Sequence, residues 1–183
     1  MSGRHVALLR GINVGTANRV AMADLRALME ALGYTGVRTL LNSGNVVFSS
    51  RRTPSSDAIR IEKGIQKQLG VSSRVTVLTG AEVSGIVSKN PLDDVATNPS
   101  RLMIAVLTEP ADRKKLTPLT REDWAPESLA LGERVAWCWC PDGVIDSALL
   151  KAISRALGDR VTTRNWATIQ KIHALIGAGG NGG

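Results

Sequence analysis

The first candidate for chemistry is the stretch LLRGINVGTANRV, residues 8–20, in which arginines, glycines and asparagines follow an apolar run. Guanidinium groups bind phosphate or carboxylate through forked hydrogen bonds, and glycines let a ligand approach the backbone. A loop between a strand and a helix also offers free N–H groups at the positive end of the helix dipole. Neither G-x-G-x-x-G nor G-K-[ST] is present, so the familiar nucleotide motifs are absent. The residues concerned are Arg10, Gly11, Asn13, Gly15, Asn18 and Arg19.

A second group of small polar residues, Asn42, Ser43 and Asn45, lies in LNSGNVVF. Asparagine, serine and glycine favour hairpin turns, so turn geometry alone would account for them. The loop at residues 8–20 has the same alternative explanation, because its glycines can serve a turn and its asparagines can bond their own backbone. Residue types alone leave both interpretations open, an anion site and an elaborate turn.

A third segment, VTTRNWATIQK, places Arg164, Asn165 and Trp166 where a helix is expected to begin. An arginine, an amide and an indole together can bind an anion that carries a ring. The alternative is that Trp166 anchors the helix on the core while Arg164 forms an ion pair.

No conventional catalytic or metal-binding set can be assembled from the titratable residues. His5 and His173 lie in strand and helix patterns, which favours structural histidines over general bases. Cys138 and Cys140 are two apart on an expected strand, point to one face and are expected to stay reduced. Two thiols and two histidines form no recognisable zinc pattern. We therefore predict no metal and no cofactor, and whether the protein is an enzyme stays open.

The net charge of +7 is concentrated in the first half of the chain. Residues 1–80 contain 11 Lys+Arg and 4 Asp+Glu, whereas residues 81–183 contain 12 of each. This asymmetry makes nucleic acid a candidate partner of residues 1–80, although a basic surface that only aids solubility is the alternative. The aromatic content of 3% weighs against base stacking but not against backbone binding through arginines.

Apolar patterning indicates a protein outside the membrane. No apolar run approaches the ~20 residues that span a bilayer, and the N-terminal run is too short for a signal peptide. We expect a soluble, cytoplasmic protein without membrane contact, of unspecified oligomeric state.

Hydrophobic periodicity predicts the order β-α-β-β-α-β twice. The fold class is therefore α+β, with two ferredoxin-like halves, antiparallel sheets and an extra C-terminal helix. We place the first half at residues 1–80, the second at 81–176 with a linker helix, and a disordered glycine-rich tail at 177–183. Within the second half, residues 110–119 read as a short or broken helix, and RVTTRN as either a last strand or the entry to a helix.

The run ALLRGINVGTANRVAMADLRALMEALGYTGVRTLLNSGNVVF resembles the opening of a bacterial family, domain of unknown function 1697. The late segments CPDGV and TTRNWATIQKIHAL continue the resemblance, which covers nearly the whole chain. It implies two ferredoxin-like α/β halves and brings no established activity. The family's motif positions fall here on Arg10, Gly11, Asn13, Gly15, Asn45, Arg164, Asn165 and Trp166.

These observations lead to one main hypothesis, an anionic small molecule bound where residues 10–15 meet residues 42–45 and 164–166. The two arginines of the motif would hold a phosphate or carboxylate, and N–H groups of the loop would cradle it. Asn13 and Asn45 would orient it. Nucleic-acid binding by the basic first half and a protein-interaction module are the alternatives.

Overall fold

The described part of the chain, residues 2–179 of a computed structural model, begins with the expected β-α-β-β-α-β order. Its elements are β1 (Gly3–Leu9), α1 (Met22–Ala31), β2 (Thr35–Leu40), β3 (Asn45–Ser50), α2 (Pro54–Leu69) and β4 (Val75–Thr79). The four strands form one antiparallel sheet in the order β2-β3-β1-β4. This arrangement confirms the ferredoxin-like fold predicted for the first half.

Helix α2 shows how local sequence sets the bounds of an element. Its N-cap residue, Thr53, accepts a hydrogen bond from the N–H of Ser56 at 3.3 Å, and Pro54 occupies the first helical position. At the other end Gly70 adopts a left-handed φ of 67° and its N–H donates to the carbonyl of Gln66. The sequence predicts a helix that Pro54 opens and Gly70 closes, and both bounds are confirmed.

The second β-α-β-β-α-β pattern is also present. Its elements are β5 (Leu102–Leu107), α4 (Arg113–Leu116), β6 (Ser128–Leu131), β7 (Val135–Trp139), α5 (Ala148–Leu157) and β8 (Val161–Asn165). The sheet order is β6-β7-β5-β8, again antiparallel. RVTTRN is thus a strand. The expected broken helix consists of α4 between two short 3-10 turns, Pro110–Asp112 and Thr117–Arg121, each opened by a proline near its start.

Two helices outside these patterns, α3 (Gly80–Ser88) and α6 (Trp166–Ala178), bring the α-helices of residues 2–179 to six. Contacts divide the chain into a first unit, Met1–Ser84 with Lys171–Gly183, and a second unit, Gly85–Gln170. Within residues 2–179, no helix combines the length and apolar character needed to cross a bilayer.

The end of α6 packs on the first unit. Ser84 Oγ lies 3.2 Å from His173 Nε2, and a Cβ on Gly80 would lie 3.2 Å from Ile176 Cγ2. Gly177 and Ala178, assigned to the tail from the sequence, belong to α6. Residues 180–183 of that tail lie outside the described residues.

The turn between β2 and β3 packs directly on the loop that follows β1. The pattern VRTLL predicts a strand over residues 37–41, but Leu41 adopts a left-handed φ of 58° and β2 ends at Leu40. Gly44, with φ 83°, closes the turn. A Cβ on Gly44 would lie 2.7 Å from Ile12 Cδ1 and 2.8 Å from Leu9 Cβ. Only glycine therefore fits at this position.

We expect Gly44→Ala to lower the free energy of unfolding by about 2–4 kcal/mol, the sum of left-handed strain and overpacking. Gly33→Ala is the matched control, because Gly33 has a similar φ of 89° and nothing lies within 4 Å of an added Cβ. It should lose only about 1–2 kcal/mol, the strain alone. Urea denaturation measures both; equal losses would show that the contact with Ile12 and Leu9 relaxes freely.

Candidate functional site

The side-chain amide of Asn13 fixes the loop at residues 10–21. Its Nδ2 donates to the carbonyls of Val20 and Asn42, both at 2.8 Å, and its Oδ1 accepts from the N–H of Val20 at 2.8 Å. Its backbone N–H donates to the carbonyl of Asn18 at 3.0 Å. One residue therefore closes the loop on itself and ties it to the β2–β3 turn.

The backbone of the loop alternates in handedness. Gly11, Asn13 and Gly15 have φ values of 69°, 55° and 64°, and the intervening residues do not have positive φ. Alternation of this kind is typical of the N–H concavities that bind anions. Nothing lies within 4 Å of a Cβ built on Gly11 or Gly15, so the backbone there is open to a ligand. Ile12, only 2% exposed, anchors the loop in the core.

Two arginine side chains at this end of the sheet, those of Arg10 and Arg19, are exposed. The backbone of Arg10 is fixed on both sides: its N–H donates to the carbonyl of Arg74 at 2.9 Å, and its carbonyl accepts from Ser73 Oγ at 2.8 Å. Helix α1, which follows the loop, has no side-chain hydrogen bond at its N-cap, Ala21. Positive charge and unsatisfied N–H groups therefore occur near one another in the chain.

Asn45 lies at the start of β3, where it pairs with Leu8, and is fully buried. Its Nδ2 donates to the carbonyl of Leu40 at 2.9 Å and to Ser43 Oγ at 3.0 Å, which closes the hairpin turn. The N–H of Leu9 donates to the carbonyl of Gly44 at 2.9 Å. The structure thus brings together two of the three predicted segments, both in the first unit.

The third predicted segment lies in the second unit, where Arg164 is 8% exposed. Its Nη1 donates to Thr162 Oγ1 at 3.0 Å and to the carbonyl of Thr163 at 2.9 Å. Burial lowers the pKa of Arg164 to about 10, so the guanidinium stays protonated at neutral pH. The segment therefore keeps a buried positive charge next to β8 threonines.

Asn165 and Trp166 start helix α6. Asn165 Oδ1 accepts a hydrogen bond from the N–H of Thr168 at 2.9 Å, as an N-cap residue does. Trp166 is buried at 7% exposure. Trp166 therefore anchors the helix on the core, the structural alternative that the sequence left open.

Helix α5, also in the second unit, already holds a carboxylate of the chain at its N-terminus. Glu127 Oε1 accepts from the N–H groups of Ala148 and Leu149 at 3.1 and 3.3 Å. Ser147 Oγ donates to Glu127 Oε2 and accepts from the N–H of Leu150. This helix end is satisfied internally, in contrast to that of α1.

The two cysteines are free thiols, as expected, and both are buried. Burial raises the pKa of Cys138, and it raises that of Cys140 to about 11 despite a hydrogen bond to Ser147. Neutral buried thiols are poor nucleophiles and poor metal ligands. Within residues 2–179, no group of three or more histidine, cysteine, aspartate or glutamate side chains is placed to hold a metal ion.

Sequence reasoning missed a buried polar cluster around Asp57, which is 0% exposed. His5 Nδ1 lies 3.0 Å from Asp57 Oδ2, while Tyr34 Oη and Ser50 Oγ donate to Oδ1 at 2.8 and 3.1 Å. A catalytic triad needs the serine bonded to the histidine, whereas here both contact the carboxylate. The cluster therefore supplies hydrogen-bond partners to a buried carboxyl group. Its one sequence signal is that Asp57 shares a helical face with Ile61 and Ile65.

Tyr34 is the only tyrosine of the chain, which makes the cluster measurable. Burial first, then the hydrogen bond to Asp57, raises its pKa well above the ordinary value of about 10. Because the folded pKa is raised, the stabilisation is complete below pH ~10 and is lost as pH rises towards the folded pKa.

We expect little phenolate absorbance from the folded protein between pH 10 and 11, whereas in urea about half of the tyrosine should be phenolate at pH 10 and about nine-tenths at pH 11. In Tyr34→Phe the free energy of unfolding should fall less steeply with rising pH above pH ~10 than in the wild type. If Tyr34 titrates in the folded protein with a midpoint near pH 10, its hydroxyl is neither buried nor bonded to Asp57.

Comparisons with known proteins agree with this fold. The family described as "Protein of unknown function (DUF1697)" matches residues 2–137. Among solved structures, the conserved bacterial protein SP0830 from Streptococcus pneumoniae aligns with a TM-score of 0.77 at 22% identity, covering 96% of this chain and 99% of that one. At that identity the likeness shows the fold alone. No curated protein matches the chain.

Proposed function

The chain belongs to the DUF1697 family of proteins of unknown function, and we propose that it binds an anionic small molecule, a phosphate or a carboxylate, at residues 10–15 of its first unit. The family brings no activity of its own. The observation that supports binding is that contacts within the protein already hold the loop open beside an exposed arginine, Arg10.

Preorganisation is the first argument for a binding loop. A flexible loop must lose conformational entropy when a ligand binds, whereas a braced loop has already done so on folding. The amide of Asn13 and the buried side chain of Ile12 brace this loop from two sides. We therefore assign Asn13 a supporting role, in which it positions the backbone that meets the anion.

Electrostatics is the second argument. Arg10 and Arg19 offer forked donors, and α1 is ten residues long with no side-chain cap at its N-terminus. Asp24 in the first turn of α1 interacts favourably with the same dipole but makes no cap hydrogen bond at Ala21. An external anion would supply the acceptors that the chain itself supplies at α5 through Glu127.

The test is ligand-induced thermal stabilisation by inorganic phosphate. At ten times Kd, phosphate should stabilise the protein by about 1.4 kcal/mol and raise Tm by about 3–6 °C. Arg10→Ala removes a charge-assisted hydrogen bond of about 1.5–3 kcal/mol and should weaken binding about 10- to 100-fold.

Arg51→Ala is the matched control for Arg10→Ala. Arg51 is also exposed, but it follows β3 at the end of the sheet where Ser50 pairs with Gly3, opposite the end where Asn45 pairs with Leu8. Arg51→Ala removes the same charge and should change the Kd for phosphate by less than about twofold, which is less than about 0.5 kcal/mol. If the two variants weaken binding equally, phosphate senses only net charge and the loop is not its site.

Nucleic-acid binding by the first half is a second candidate, favoured by the exposure of its basic residues. Of the 11 Lys and Arg side chains in residues 1–80, nine are exposed. Opposing this, they lie at both ends of the sheet and on both helices, whereas a nucleic-acid surface needs one basic stripe. The nine are Arg10, Arg19, Arg26, Arg38, Arg51, Arg52, Lys63, Lys67 and Arg74.

Salt dependence tests this second candidate. For duplex DNA, each phosphate neutralised adds about −0.9 to the slope of log K against log salt. Replacing Arg51 and Arg52 by alanine should reduce that slope by about 2 if both contact phosphates. Arg26→Ala is the control, because Glu30 lies 3.1 Å from Arg26. Absence of binding by fluorescence anisotropy at low salt would exclude this function.

A further inference from the structure

Two residues with exposed apolar side chains are sequence neighbours of the hydrogen bond that joins the loop at residues 10–21 to the β2–β3 turn. Val14 is 73% exposed and Leu41 is 47% exposed. Val14 follows Asn13 and Leu41 precedes Asn42, the two residues joined by the 2.8 Å hydrogen bond from Asn13 Nδ2. Val14 therefore belongs to the braced loop of the first unit and Leu41 to the turn that is bonded to it, and both keep apolar surface exposed to solvent.

Leu41 is also in an unfavourable backbone conformation. Its φ is 58°, a region in which a Cβ is disfavoured. Every other residue of positive φ in the described chain is a glycine or an asparagine, the types that tolerate it. Because Leu41 is 47% exposed, packing offsets this strain only in part. Residues that break a local rule without a structural gain mark functional positions.

We propose that the anion bound by this loop carries an apolar or aromatic group, which lies against Val14 and Leu41. The ligand class is thus an organic phosphate or carboxylate with a ring or short hydrocarbon chain, and the inference rests on the proposed function. A protein partner fits less well, because a specific protein interface buries at least about 1,000 Å² and two side chains present only a small part of that.

The expected size of the effect follows from apolar burial. Each tenfold gain in affinity requires removing about 55 Å² of apolar surface from water. A single ring resting on two side chains covers an area of this order. The wild-type protein should therefore bind phenyl phosphate about tenfold more tightly than methyl phosphate, two monoesters of equal charge.

The experiment measures Kd for methyl phosphate and phenyl phosphate by isothermal titration calorimetry. In Leu41→Asn, the preference for the phenyl ester should fall from about tenfold to about twofold, because the apolar contact is lost. Asparagine tolerates the left-handed region, so this variant should fold at least as well as the wild type. Ile145→Asn, which removes an 89% exposed apolar side chain from the second unit, should keep the tenfold preference.

The outcomes separate this inference from the function on which it rests. Equal affinities for the two esters, both weakened by Arg10→Ala, would keep the anion site and overturn the apolar subsite. A tenfold preference that survives Leu41→Asn and Val14→Thr would place the ring elsewhere and also overturn it. Binding of neither ester would overturn both the anion site and the subsite.

Discussion

The loop depends on one side-chain amide, that of Asn13. It bonds both the N–H and the carbonyl of Val20, so it replaces the backbone partner that an adjacent strand would supply. Its second Nδ2 hydrogen reaches the carbonyl of Asn42. Asn13 therefore bonds to the loop, to the approach to α1 and to the hairpin turn at once. An amide suits this role because it carries a donor and an acceptor in one plane.

The fold could be predicted from sequence wherever a local signal sets a boundary. Pro54 and Gly70 mark the bounds of α2 in the sequence, because a proline at the first helical position and a glycine after the last act within one turn of the chain. The errors arose where a tertiary contact overrides local preference. Helix α6 continues through Gly177 although glycine disfavours helices by about 1 kcal/mol. His173 contacts Ser84, 89 residues away in sequence, and no local pattern indicates that pairing.

Roles within the candidate site were harder to predict than its residues, because burial and partners depend on tertiary packing. Asn45 and Asn13 are both motif asparagines, yet one is fully buried under the turn while the other braces a loop. The cluster around Asp57 joins His5 to a carboxylate 52 residues away, and only the position of Asp57 on an apolar helix face hints at it. Residue type reports the chemistry available, whereas the fold decides where it is used.

The second unit shows that the fold itself does not require the long loop. Both units have the same sheet topology, and in both the first strand leads into helical structure. The second unit makes that connection in two residues, 108–109, before a 3-10 turn begins at Pro110. The first unit uses residues 10–21. Connections of this type commonly take about 2–6 residues, and longer ordered ones usually carry function. The braced loop is therefore an addition to the fold, as a binding element would be.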